Sequence, residues 1–230
     1  MRGKLILIEG TDCSGKQTQS ELLVKRLIES GRKVETLSFP MYGTPTGKII
    51  GGPYLGKEAI CPSWFSEGAT NVNPKVASLY YAADRLYNVS KINNLLDQGI
   101  TVILDRYTPS NMAHQGGMIT SKEERYEMYK WIDNLEYGFL NLPRPNFSFL
   151  LYMPHTYSKQ LRANRAEKLD AFEISESHLK NAEAAYLELV DLYNFEIINC
   201  IKDNKIESIE EINDLLYEAV ISKIDDCKSN

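Results

Sequence analysis

Residues 9–19 read EGTDCSGKQTQ, with Gly10, Gly15 and Lys16 at the spacing G-x-x-x-x-G-K. The apolar run LILI precedes them and the amphipathic segment SELLVKRLIES follows. Strand, glycine-rich loop and helix in that order make a phosphate cradle. The glycines let backbone N–H groups turn inward towards phosphate oxygens. The helix amino terminus adds its positive dipole end, and Lys16 adds a mobile charge for the β- and γ-phosphates. The nucleotide-binding set is therefore Gly10, Asp12, Cys13, Ser14, Gly15, Lys16, Gln17 and Thr18. Two members are unusual. Position 17 should be Ser or Thr, whose hydroxyl meets Mg²⁺, but is Gln17, and Asp12 is an acid inside a loop for anions.

A second acid lies at the end of another strand-like run, TVILDRY, where Asp105 precedes Arg106. A carboxylate there, beside a phosphate loop, can organise the water shell of Mg²⁺, which keeps several waters and takes few protein ligands. Asp105 is thus the candidate metal residue. Gln17 is tolerable on the same grounds, since its amide oxygen or a water can replace the missing hydroxyl. Arg106 would bring a guanidinium to where phosphates meet; a strand-end salt bridge is the plainer alternative.

Five short β-rich runs have to position these groups: KLILIEG at 4–10, KVETLSF at 33–39, TVILDRY at 101–107, FSFLLYM at 147–153 and FEIINCI at 195–201. Most are near-continuously apolar, which predicts parallel strands covered on both faces. Helical patterns alternate with them: Lys16–Ser30, which stops at Gly31; Lys75–Asp97, followed by Gly99; Ser121–Glu136, opening on a capping box; Ser175–Tyr193; and Ser208–Ile224. The alternation predicts a doubly wound α/β fold with ligands at the carboxyl ends of the strands. Residues 41–73 break the pattern with a long run rich in Gly, Pro, Ser and Thr, a length of connection that is usually functional or disordered.

The chain has 230 residues, 43% hydrophobic and 25% charged, as expected of one globular domain spanning 1–230. Its net charge of −5 argues against non-specific binding to nucleic acid or membranes. No apolar run approaches the length of a membrane span, and no signal peptide is expected. Cys13, Cys61, Cys200 and Cys227 are scattered, and His114, His155 and His178 show no metal spacing. Reduced thiols and a cytoplasmic location are the expectation.

From Lys4 to about Leu189 the motifs together resemble the thymidylate kinase family of nucleoside monophosphate kinases. The quoted loop looks like that family's phosphate loop, which carries an acid where Asp12 stands. SFP at 38–40, LYYAADR at 79–85 and DRYTPSNMAHQGG at 105–117 are similar to its Phe-Pro turn, acceptor-base helix and signature DRY-x-x-S. LDAFE at 169–173 and AYLEL at 185–189 look like the end of its lid and the helix beyond. The resemblance implies a three-layer P-loop kinase fold, a five-stranded parallel sheet flanked by helices, with a short lid at about 155–172 and an inserted connection at about 41–73. It implies ATP and dTMP as substrates, Mg²⁺ as cofactor and a homodimer.

It also implies roles. Tyr81 would stack on thymine. Arg85, at i+4 on the same face, would donate to the thymine 4-carbonyl, where cytosine has an amino group. Ser110 and Asn111 would contact the base edge, or else simply cap the next helix. Arg106 would hold the acceptor phosphate, with Phe39 and Tyr42 lining that end. Asp12 would accept from the sugar 3′-hydroxyl, and His114 stands where the family places an aromatic near the 2′ carbon; a buried structural histidine is the alternative. Some family members carry an arginine at the position of Cys13. Its absence here turns attention to QLRANRAEK at 160–168, whose Arg162, Arg165 and Lys168 would supply the catalytic cations of the lid. A solvated basic helix face is the competing reading. A kinase with a different acceptor and a non-catalytic nucleotide-binding regulator are the competing functions.

Overall fold

A computed structural model describes residues 2–11, 14–163 and 176–226. Five parallel strands form the central sheet: β1 (Leu5–Gly10), β2 (Val34–Ser38), β3 (Thr101–Asp105), β4 (Phe147–Tyr152) and β5 (Glu196–Asn199). Their order is β2-β3-β1-β4-β5, so β1 and the loop after it lie at the centre. The step from β1 out to β3 on one side and β4 on the other is the switch point where α/β sheets bind ligands. All five strands predicted from sequence are present. The last is shorter than read, because Ile201–Lys202 (β6) leaves the sheet to pair antiparallel with Lys205–Ile206 (β7).

Alternation along the strands sorts side chains onto two faces. Leu5 and Leu7 of β1 join Val102, Leu104 and Leu150 in one apolar layer. Ile6 and Ile8 join Ile103, Phe149 and Leu151 in the other. Both faces of β1 are fully buried, as its uninterrupted apolar run requires. β2 differs: it is an edge strand, and Glu35, Thr36 and Ser38 are exposed.

One face is covered by α1 (Lys16–Glu29) and the C-terminal helix α8 (Ile209–Asp226), through Leu23, Leu27, Leu216 and Val220. The other carries α3 (Pro74–Asp97), α4 (Thr108–Gly116), α5 (Lys122–Asp133) and α7 (Glu176–Tyr193). The short helices α2 (Pro45–Ile49) and α6 (His155–Ala163) follow β2 and β4. Thr44 caps α2, and the Ser121 hydroxyl caps α5 by accepting from the Glu124 N–H, as the capping box predicted. Helix α5 then continues past its expected end in a widened turn, Asn134–Phe139, closed by an i→i+5 bond from Leu140 N–H to Leu135 C=O. Such widened turns are frequent at functional sites.

The connection at 41–73 is ordered. Ile50, Tyr54, Leu55, Ala69 and Val72 form a small apolar cluster closed by Ala77 of α3. Tyr54 is fully buried and donates from its hydroxyl to the Ala69 carbonyl at 3.2 Å.

Helices α5 and α7 are tied by Glu188, which accepts from Arg125 Nε at 3.0 Å, Arg125 Nη2 at 2.6 Å and the Tyr129 hydroxyl at 2.9 Å. The hydrogen bonds from Arg125 hold the Glu188 carboxyl below its ordinary value of 4.5. Its contribution to stability is therefore complete above that value and is lost as pH falls through the lowered folded one. Glu188→Gln should cost about 1–3 kcal/mol in urea denaturation at pH 7. The gap from wild type should close as pH falls below 4.5 through the lowered folded-state value; a gap that persists once the carboxyl is protonated would show that the carboxylate's charge is not what stabilises.

Candidate active site

Around the phosphate loop, glycine is required at two positions. Gly15 has φ +77° where the loop enters α1. At Gly10 a Cβ would lie 2.4 Å from Ser14 Oγ and 2.9 Å from the Leu151 carbonyl. Lys16 opens α1, and its ammonium donates to the carbonyls of Gly10 at 2.7 Å and Thr11 at 2.9 Å, at the heart of the loop. Thr11 locks the loop to β4 by exchanging hydrogen bonds with Met153, 2.6 Å to its carbonyl and 3.0 Å from its N–H. Ser14 Oγ is buried with no hydrogen-bond partner among the described residues. Gln17 is exposed and donates to Glu21 Oε1, one turn along the helix, at 3.0 Å. Thr18 is exposed beside it. Asp12 and Cys13 lie outside the described residues.

Asp105 ends β3 beside the loop and is 9% exposed. Its Oδ2 accepts from Ser38 Oγ at 3.2 Å, while Oδ1 is buried and unpartnered among the described residues. Arg106 then enters the left-handed region at φ +65°, which costs a non-glycine residue roughly 1–2 kcal/mol. That turn sends its side chain to His114, Nη1 to Nε2 at 3.3 Å. A guanidinium can only donate. His114 Nε2 therefore accepts, and its Nδ1–H donates to His178 Nε2 at 3.2 Å, the two imidazoles stacked with an interplanar angle of 13°.

A fully buried acid of the region escaped sequence reasoning. Glu9, inside the apolar β1 run, is 0% exposed. Its Oε1 accepts from the N–H groups of Tyr107 at 2.9 Å and Ser110 at 3.0 Å. Its Oε2 accepts from Ser110 Oγ at 2.6 Å and the Tyr186 hydroxyl at 3.1 Å. Tyr107 has no side-chain cap of its own to offer α4, and Pro109 has no N–H, so Glu9 caps that helix from the neighbouring strand. Burial raises the Glu9 carboxyl above its ordinary range; the Ser110 hydroxyl, Arg106, the Tyr107 N–H and Lys16 pull the other way. Ser110, expected at the base edge, thus has its hydroxyl engaged by Glu9 and Tyr186.

A second buried acid, Glu136, stands in the widened turn after α5, also 0% exposed. It accepts from Arg85 Nε at 2.5 Å and Nη2 at 2.7 Å, from Thr108 Oγ1 at 2.8 Å and from Asn111 Nδ2 at 3.0 Å. Burial opposes the charge of Arg85, but Glu136 outweighs it and holds the guanidinium above its ordinary range. Arg85 therefore pairs with a distant acid rather than with its neighbour Asp84. Asp84 instead ties down the turn after β2, where Phe39–Pro40 is cis, accepting from the Met41 N–H at 2.9 Å and Thr46 Oγ1 at 2.7 Å. Phe39 is buried against Tyr107, ring centroids 5.8 Å apart. Tyr42 lies under the Lys57 ammonium at 4.6 Å. Tyr81 is met edge-on by Tyr54 of the 41–73 connection at 6.0 Å. Arg162 falls in the last turn of α6, with its side chain outside the described residues, as is all of Arg165 and Lys168.

Gathered at the carboxyl ends of β1, β2 and β3 are a glycine phosphate loop with its lysine, a carboxylate oxygen with no partner among the described residues and a second cation, flanked by a Tyr- and Arg-bearing helix. That combination defines a P-loop nucleotide-binding α/β phosphotransferase. Comparison with known proteins narrows the class. A profile of the thymidylate kinase family matches residues 8–212, and the chain belongs to that family. It is similar to the thymidylate kinase of Schizosaccharomyces pombe, 29% identical over 95% of this chain and 92% of the relative. It is also similar to that of Plasmodium falciparum, 30% identical over 97% and 93%. The solved structure of the Candida albicans thymidylate kinase superposes with a TM-score of 0.71 at 24% identity, covering 96% of this chain and 92% of the other. That agreement in fold matches the architecture expected from sequence.

Glu9→Gln would set an amide N–H₂ against donors that Glu9 now satisfies. Unfolding by urea should show a loss of about 2–3 kcal/mol, and Tyr186→Phe, which removes one of the four bonds, about 1 kcal/mol. A Glu9→Gln protein within 0.5 kcal/mol of wild type (about the error of such a comparison) would mean that α4 does not depend on this cap.

Proposed function

We propose that the chain is a cytoplasmic, homodimeric enzyme that phosphorylates dTMP to dTDP with ATP. The observation that carries this beyond nucleotide binding is the pairing of an aromatic, Tyr81, with a buried, fixed arginine, Arg85, on one helix beside the phosphate loop. ATP would lie on Gly10–Thr18, with dTMP between Phe39, Tyr42, Tyr81, Arg106, Asn111 and His114. Arg85 would stand at the edge of the base, Ser110 behind it and Asp12 at the sugar. A monophosphate acceptor is already anionic, so no general base is required. An acceptor oxygen attacks the γ-phosphorus in line, and the protein's part is positioning and charge neutralisation. Lys16, Arg106 and the lid residues Arg162 and Arg165 would neutralise charge on the transferring group.

The chemistry of the donor set suits a magnesium ion: Asp105 Oδ1 and Ser14 Oγ are buried oxygens without partners among the described residues. Asp105 would hold Mg²⁺ through its water shell, and the bound ion would share the charge of the β- and γ-phosphates. Gln17, turned towards Glu21, leaves that role to Ser14, Asp105 and water. The neutral tautomer of His114 would steer the Arg106 guanidinium towards the acceptor phosphate.

For the homodimer, α3 offers one outward face with Val76 41%, Leu79 50%, Leu86 43% and Tyr87 57% exposed. Their spacing of i, i+3, i+10 and i+11 keeps them in a single apolar stripe, which a second copy of α3 would cover.

Two measurements test these readings. ADP formation with dTMP, dUMP, dCMP, dGMP, UMP and thymidine should be fastest with dTMP. Equal rates with dCMP would overturn the assignment of the acceptor, and a broad profile would align the chain with the broad substrate specificity ascribed to the Candida enzyme. Light scattering should give twice the chain mass for wild type and the chain mass for Leu79→Glu/Leu86→Glu; a monomeric wild type would refute the α3 seam.

A further inference from the structure

Arg85 and Asn111 are the two side chains whose polar atoms would read the edge of the base, and Glu136 holds both. Arg85 gives Glu136 its Nε and Nη2, and among the described residues its Nη1 makes no hydrogen bond. The amide of Asn111 is ambiguous in isolation, since oxygen and nitrogen can exchange by a half-turn. Here the surroundings decide. The end assigned as nitrogen faces Glu136 Oε1 at 3.0 Å and the Ser78 carbonyl at 3.4 Å, both of which can only accept. The oxygen end is buried and has no partner among the described residues. A buried acceptor left unpaired is costly, and a ligand N–H that reached it would recover the bond.

We propose that Glu136 is a specificity-determining positioning residue: by taking Nε and Nη2 of Arg85 and the amide nitrogen of Asn111, it leaves one donor, Arg85 Nη1, and one acceptor, Asn111 Oδ1, for the base. This rests on the dTMP reading above and says what enforces it. Thymine presents a carbonyl at position 4 and an N–H at position 3, which match a donor and an acceptor in that order. Cytosine presents an amino group at 4 and a bare nitrogen at 3, which mismatches at both. Thr108, the third donor to Glu136, pins the carboxylate from the start of α4, so the carboxylate cannot turn to follow a different base. The acid acts without touching the substrate. Its reach is through the orientation of two other side chains, contributed by α3 and α4, and it stands in a turn distant from both in sequence.

The test is kinetic discrimination in Glu136→Gln and Glu136→Asp. Gln keeps the shape but puts an N–H₂ among donors. Asp keeps the charge opposite Arg85 but is too short to hold Arg85 and Asn111 together. In each, the ratio of kcat/KM for dTMP to that for dCMP should fall by about ten-fold or more, mostly through a raised KM for dTMP, with KM for ATP unchanged within about two-fold. On the wild type, methylation at N3 of dTMP should lower kcat/KM by about a hundred-fold, which needs no variant to fold. A purely structural ion pair would lower melting temperature or scale turnover of both nucleotides together. An unchanged dTMP:dCMP ratio in whichever variant folds, or equal turnover of N3-methyl-dTMP by the wild type, would overturn the proposal. Absence of dTMP turnover in the wild type would instead remove the underlying reading of the acceptor, and this inference with it.

Discussion

Glu9 is a carboxylate sealed from water and satisfied entirely by donors from two other elements. Burying such a group is unfavourable unless each lone pair finds a partner. Its four donors come from the Arg106–Ser110 region and from Tyr186, so the position of α4 relative to β1 is fixed by hydrogen bonds rather than by apolar packing alone. The phosphate loop begins one residue after Glu9. The phosphate loop and the helix α4, which would face the second nucleotide, are thus referenced to the same side chain. Apolar contacts tolerate sliding by fractions of an ångström; a buried carboxylate with directional donors does not. In-line transfer between two nucleotides requires that kind of fixed separation.

Glu136 repeats the device one layer out. It collects α3 through Arg85 and α4 through Thr108 and Asn111, and it sits in a widened turn that swings its side chain inward. Two buried acids therefore share α4 between them: Glu9 takes its backbone and Ser110, Glu136 takes Thr108 and Asn111. Breaking a buried ion pair by removing one partner strands the other charge, at a cost of about 3–5 kcal/mol. Residues set so deeply act on chemistry by holding other residues still. The 41–73 connection does the same job with apolar surface, since Tyr54, anchored at its hydroxyl, presents its ring to Tyr81.

How far all this could be read from sequence depended on which physical signal each feature leaves. The strands left uninterrupted apolar runs, because β1, β3 and β4 are buried on both faces, and the phosphate loop left glycines forced by close contact and positive φ. Asp105 and Arg106 were visible because they follow an apolar run at the strand end where ligands bind. Glu9 was the same kind of signal, an acid inside a run that otherwise must be buried, and it sat in plain view. Glu136 left none: its partner Arg85 is 51 residues away, and the turn that aims it has no periodicity to betray it. The spacing of Tyr81 and Arg85 marks them as sharing a helix face, but that Arg85 is already gripped by an acid depends on contacts that sequence order hides. Gln17 was legible as an anomaly and resolved only by its direction, outward to Glu21.

The two acids also explain why a loop lacking the usual hydroxyl at position 17 and an arginine at position 13 need not lose precision. Phosphoryl transfer asks the protein for charge at fixed places more than for reactive groups. Charge could be supplied from several places. Fixity has to come from groups held by the frame, and here the sheet and α4 hold them. An arginine at a left-handed φ, steered by a neutral histidine, costs conformational energy that an unconstrained strand end would relax. It is held because the N–H of the very next residue, Tyr107, is bonded to Glu9, and the N–H of Arg106 itself is bonded to the Ile8 carbonyl at 3.2 Å. The strained residue that would meet the phosphate is bracketed by hydrogen bonds to β1, so the strand that begins the phosphate loop also sets the direction of the Arg106 side chain.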